Sequence, residues 1–251
     1  MRKMKIFPAL LLSVGLLLGA CGAPEPPVLI STLEKESVRY DLASLLQQAG
    51  VPDARRYLFF RETEESMDSA EPEPQGFVPV DQRALAGAEP MENTESLGLM
   101  MLAGDTVLRI SQEEDQITAE TRELERQLTM PIPLEACEDQ KALPELVTRA
   151  WSERGITILE NPGIRILHLV LPHGESGQTT LIPVPAGILL PTPDGDLWFL
   201  EKPAAAMPYR VVKLGSRRQL IAYLTAEYEL TTETESFPAP FLMENGAVLT
   251  D

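Results

Sequence analysis

The chain is poor in cysteine, histidine and positive charge. Two cysteines in 251 residues cannot build a disulfide framework, nor alone supply a four-thiolate zinc site. Lys and Arg number 21 against 38 Asp and Glu, a formal charge of -17, which argues against a surface that tracks nucleic-acid phosphates. No stretch is apolar for long enough to make a comfortable membrane-spanning helix, and no internal repeat is present. What remains is a chain with 44% hydrophobic residues, too many for disorder throughout and enough to bury a sizeable core.

The N-terminus is set apart from the rest. Arg2, Lys3 and Lys5 precede a mostly apolar stretch over residues 6–18, and Leu18, Gly19, Ala20 and Cys21 follow. A basic start, a short apolar middle and small residues before a cut make a secretory signal. The last four residues resemble the lipobox of bacterial lipoproteins. That resemblance implies a signal peptide over residues 1–20, removed once the Cys21 thiol carries a diacylglyceryl group. Two or more acyl chains anchor stably where one is marginal. The expected location is the cell membrane, lipid-anchored and facing the exterior or periplasm.

Removal of residues 1–20 takes away three basic residues and no acid, so 18 basic and 38 acidic residues remain and the net charge becomes -20. Cys137 is then the only free thiol. Residues 21–30, with Pro24, Pro26 and Pro27, read as a lipidated, extended, semi-rigid tether. Residues 31–251 read as a single domain.

Within that domain helices come first. Ser31 with Glu34 reads as a capping box ahead of an apolar face at Leu33, Val38, Leu42, Leu45 and Leu46, with Gly50 as the stop. A second helix starts near Asp53, and residues 62–75 read as an acidic solvated loop. Further helices are expected from about Thr94 through Leu102, over residues 111–128 and over residues 142–154. After Gly155 the period changes, predicting about five strands at 156–159, 164–171, 179–190, 197–200 and 209–214. Asp194-Gly195 signals a hairpin turn, and Ser216 caps one late helix. The fold class is therefore α+β, N-terminal helices packed on an antiparallel sheet with a late C-terminal helix.

An ordered set of motifs lies in the second half. Trp151 with Arg154-Gly155-Ile156, Phe199-Leu200-Glu201-Lys202, Pro208-Tyr209-Arg210, Tyr223, Tyr228 and Pro240-Phe241-Leu242-Met243-Glu244-Asn245 occur in that order. Together they resemble the bacterial lipoprotein family known as domain of unknown function 4300, over roughly residues 151–251. The family pattern also has an Asn-Cys-Arg triplet opening a helix and a Gly-His strand, an arrangement similar to NlpC/P60 and papain-like cysteine hydrolases. The resemblance places the cysteine at Thr94 and the histidine at Pro185. Threonine has no accessible anion near neutral pH and proline does not titrate, so neither can do thiolate–imidazole chemistry. The implied molecule is a non-catalytic relative that binds a cell-wall or peptide ligand, with no cofactor and no nucleic-acid partner.

The alternative is an active cysteine hydrolase using Cys137 with His168 or His173. Acidic Glu135, Glu138 and Asp139 flank Cys137 and work against a thiolate. His168 falls in an expected strand, and His173 sits between Pro172 and Gly174 as a turn residue. These two histidines with Glu175 make a poor ligand set, and no metal is expected. Glu201 and Lys202 read as a structural ion pair. Ser176 lacks the strand–turn–helix setting of a nucleophile elbow.

Overall fold

A computed structural model of the chain describes residues 26–67, 76–80, 97–104, 114–134, 139–175, 178–203, 207–228, 230 and 238–250. Among them the elements run β1 (Leu29–Thr32), α1 (Glu36–Gln48), α2 (Asp53–Met67), β2 (Val78–Pro79), α3 (Leu97–Ala103), α4 (Glu114–Thr129) and β3 (Ile132–Leu134). A 3-10 turn (Gln140–Ala142) leads into α5 (Leu143–Glu153). Then follow β4 (Arg165–Glu175), β5 (Gln178–Pro191), β6 (Leu197–Glu201), β7 (Arg210–Leu214), α6 (Arg217–Glu227), β8 (Phe241–Glu244) and β9 (Ala247–Val248).

All nine strands form one sheet in the order β2-β1-β7-β6-β5-β4-β8-β9, and β3 pairs with the first half of β5. Every pairing is antiparallel. The fold is α+β, as expected. Residue alternation along the strands divides the core into two layers. Ile166, Val170, Ile188, Leu200 and Val211 face the side where α1, α3 and α5 bring Leu42, Met100 and Trp151. Leu167, Leu189, Phe199 and Val212 face α6 through Leu220, Tyr223 and Leu224. Side chains of both faces are buried, which is why the central strands read as near-continuous apolar runs.

The α5 boundary is as the sequence predicts. Gly155, at φ 78°, ends the helix, its N–H bonds to the Ser152 carbonyl at 3.0 Å and that of Ile156 to Trp151 at 2.9 Å. These are the two hydrogen bonds of a Schellman stop, which needs a residue free to adopt positive φ. The Ser216 hydroxyl accepts the Gln219 N–H at 3.2 Å and caps α6. Gly195, at φ 88°, turns β5 into β6.

Four expectations need correction. Ser31 and Glu34 do not cap a helix: Ser31 lies in β1 opposite Val211, and α1 starts at Glu36 after Lys35, which makes no side-chain cap. Residues 26–30 of the expected tether are held on the domain, because Val28 is buried against the α6 side of the sheet and β1 pairs with both β7 and β2. The acidic segment starting at residue 62 is not all loop, since α2 continues to Met67. Its Thr63 is buried, and the hydroxyl donates to the Phe60 carbonyl one turn back in the same helix at 2.7 Å. Residues 68–75 lie outside the described set. Lastly, residues 156–159 hold a single bridging residue, Ile158, in place of a strand, since the Schellman turn redirects the chain.

Candidate functional site

Pro185 lies on β5 directly opposite His168 on β4, next to a register shift that lets Ala186 bulge out. Both residues are buried. Met243 of β8 flanks His168 on its other side, and Trp151 of α5 lies across it with ring centroids 4.8 Å apart. Neither imidazole nitrogen has a hydrogen-bond partner among the described residues. Burial alone pushes the His168 pKa down from 6.5 to about 3, because a charge there would have no solvation. The ring is therefore neutral at physiological pH, and it is sealed beneath a tryptophan.

His173 sits five residues along the same strand and is exposed near the β4–β5 hairpin tip, paired with Thr180. The Thr180 hydroxyl donates to its carbonyl at 3.2 Å. The two histidines thus occupy opposite environments on one strand. Cys21, Thr94, Cys137 and Ser176 lie outside the described residues, as does the side chain of Glu175. Among the described residues no cluster of His, Cys, Asp and Glu could hold a metal ion.

The short helix after Thr94 is fixed at both ends by buried polar side chains. Near its start, the Tyr209 hydroxyl donates to Glu62 Oε1 at 3.0 Å. A Cβ on Gly98 would come within 2.4 Å of that hydroxyl, so only glycine lets α3 lie so close to the Tyr209 side chain. Burial, then the neighbouring Glu62 charge, raise the Tyr209 pKa and keep the phenol neutral. Arg55, itself buried, donates Nη1 to the Met101 carbonyl near the other end at 3.3 Å.

Glu201 and Lys202 do not pair with each other. Successive strand residues point to opposite faces, so Lys202 places Nζ 5.0 Å from the Tyr209 ring centroid while Glu201 faces α6. There Glu201 Oε1 accepts Arg210 Nε at 2.7 Å and the Tyr223 hydroxyl. Arg210 Nη2 donates to Tyr223 at 2.7 Å and to Glu227 Oε1 at 2.5 Å. Burial raises the Glu201 pKa, although Arg210 and Tyr223 work in the other direction. Two carboxyl groups share one guanidinium, and the second oxygen of each has no partner among the described residues. Sequence reading missed this network; its one local signal is Tyr223 and Glu227, four residues apart on one face of α6.

The remaining motifs also hold the fold together. Trp151 Nε1 donates to the Leu128 carbonyl at 3.1 Å. Arg154 reaches the carbonyls of Gln127, Met130 and Pro131 at the end of α4, at 2.9 to 3.2 Å. Glu244 binds Arg165 at 2.9 Å and Arg217 at 2.6 Å. Burial pushes the Glu244 carboxyl up, but these arginine hydrogen bonds outweigh it and leave the pKa lowered. Asn245, at φ 48°, opens the β8–β9 turn, and its side chain accepts the Ile166 N–H at 2.9 Å.

Comparison with known proteins agrees with the motif pattern. The model of a family described as Domain of unknown function (DUF4300) matches residues 91–249. No curated protein and no solved structure matches the chain.

Proposed function

Because the chain belongs to the domain of unknown function 4300 family, whose framework motifs it carries, we propose that it is a lipid-anchored extracytoplasmic protein without hydrolase activity that binds a cell-wall or peptide ligand. The anchor rests on the Leu18-Gly19-Ala20-Cys21 pattern behind a basic, then apolar, start. The loss of catalysis rests on one observation above all. At the position the family resemblance gives to histidine stands Pro185, and the imidazole beside it, His168, is buried, without a hydrogen-bond partner among the described residues, and covered by Trp151. A general base must reach the proton it removes, directly or through one water, and a sealed ring with a pKa of about 3 does neither.

The motifs that survive are those with structural work: the α5 stop and its Arg154 clamp, the Glu201–Arg210 network, and the Glu244-Asn245 turn. Their retention together with loss of the reactive pair favours a scaffold that presents a surface. Incubation of the purified full-length protein with peptidoglycan fragments, small esters and amides tests this. No turnover is expected; turnover that vanishes in Cys137→Ser would make the protein a cysteine hydrolase instead.

A further inference from the structure

The segment just after the lipidation site is fixed to the domain. The Pro26 carbonyl accepts Gln219 Nε2 at 2.6 Å. Its ring lies so close to Gly215 that a Cβ there would meet it at 2.6 Å. The Val28 carbonyl accepts the Val80 N–H at 2.9 Å, and β1 runs along β7 from Leu29. Only Gly22, Ala23, Pro24 and Glu25 separate Cys21 from Pro26. Five Cα–Cα steps at full extension reach no more than about 18 Å. A leash that short cannot let the domain tumble freely above a bilayer.

Strand directions decide which end the leash holds. β7 finishes at Leu214 beside Gly215, β5 finishes at Pro191 and β6 begins at Leu197, so the β5–β6 and β7–α6 turns share the Pro26 end of the sheet. From there β5 extends back over 14 residues to its hairpin with β4, roughly 40 Å along the strand. His173 is exposed near that far tip.

Among the described residues, the charges at the near end are almost balanced. On the two turns and the adjoining strand ends stand Arg165, Lys213, Arg217 and Arg218 with Asp194, Asp196 and Glu244. Arg165 and Arg217 share Glu244, and Lys213 lies 3.2 Å from Asp196. The mature chain as a whole carries 18 basic against 38 acidic residues. An anionic bilayer repels such a chain, and least at the end where the charges of the described residues cancel.

Resting on the Cys21 anchor, we infer that the domain docks on the membrane surface through its β5–β6 and β7–α6 turns, with the β4–β5 hairpin directed away from the lipid. The short leash keeps this end at high effective concentration against the headgroups, so even weak contacts there are occupied. The hairpin end, with β3 beside it, is then the end presented to a ligand in the wall or periplasm.

Site-specific quenching tests the orientation. Full-length protein carrying Cys137→Ser and one of Asp194→Cys, Arg218→Cys or His173→Cys is labelled with a fluorophore. Each is reconstituted in phosphatidylethanolamine–phosphatidylglycerol vesicles bearing a nitroxide on the headgroup. Loss of most of the fluorescence at 194 and 218 and little at 173 is expected. Equal quenching at the three positions, or the strongest quenching at 173, overturns the orientation. The mass of the N-terminal peptide reads acylation separately. An unmodified Cys21 overturns anchor and orientation together, whereas an acylated Cys21 with uniform quenching overturns the orientation alone.

Discussion

Replacing His168 by leucine should flatten part of the acid sensitivity of the fold without unfolding it at neutral pH. In the native state the ring is fully buried, packed 4.8 Å from Trp151, and titrates near 3 in place of 6.5. Above pH 6.5 the imidazole is neutral in both folded and unfolded chains and contributes no pH dependence. As pH falls below that value the unfolded chain takes up a proton that the native state refuses. Stability then falls by about 1.4 kcal/mol per pH unit, up to about 5 kcal/mol by pH 3. The leucine variant loses this contribution. It also removes two buried nitrogens that have no partner among the described residues, each a desolvation cost of about 1–3 kcal/mol, and fills a similar volume. At pH 7 it should match or exceed the wild type. The assay is urea denaturation followed by tryptophan fluorescence at pH 7, 6, 5 and 4.5. Carboxyl groups such as Glu244 titrate alike in both proteins and cancel in the difference. A difference that widens in the variant's favour as pH falls is expected; one that stays constant with pH, or a variant much weaker at pH 7, would refute the reasoning.

Three further substitutions probe the framework. Gly187→Ala places a Cβ 2.4 Å from the Phe199 ring and 2.6 Å from the Leu200 carbonyl, and should lower stability by about 1–3 kcal/mol in a thermal melt. Arg210→Met leaves Glu201 and Glu227 buried without their cation, a loss of about 3–5 kcal/mol. Protonation relieves uncompensated carboxylates, so the gap to wild type should shrink as urea melts are moved from pH 8 to pH 5. Asn245→Ala removes the bond to Ile166 and puts alanine at φ 48°, costing about 2 kcal/mol in all; Asn245→Gly should cost less because it keeps the turn.

Long periodic segments were the legible part of this fold. The α5 stop could be read from Gly155, and strands β4 to β7 from runs of branched and aliphatic residues, because both faces of the sheet are covered. Short strands left no such signal. β8 and β9 have four and two residues, and Pro133 within β3 suppresses a strand reading. β1 was hidden by coincidence, since Ser31 and Glu34 imitate a capping box while Ile30 and Ser31 in fact pair with Val212 and Val211. At the candidate site, Pro185 was singled out only through the family resemblance. That His168 lies across from it was not, because the register shift at Leu167/His168 sets the pairing and no local pattern announces a bulge. The Glu201 network was illegible for a related reason: its partners come from the next strand and from a helix more than twenty residues on.

The central claim is that this family member has kept its scaffold and lost its chemistry. The most direct measurement is an end-point assay of the full-length protein against peptidoglycan fragments, esters and amides, read by mass spectrometry beside the Cys137→Ser variant. The account predicts unchanged substrates with both proteins. Product formed by the wild type and absent with Cys137→Ser would contradict it.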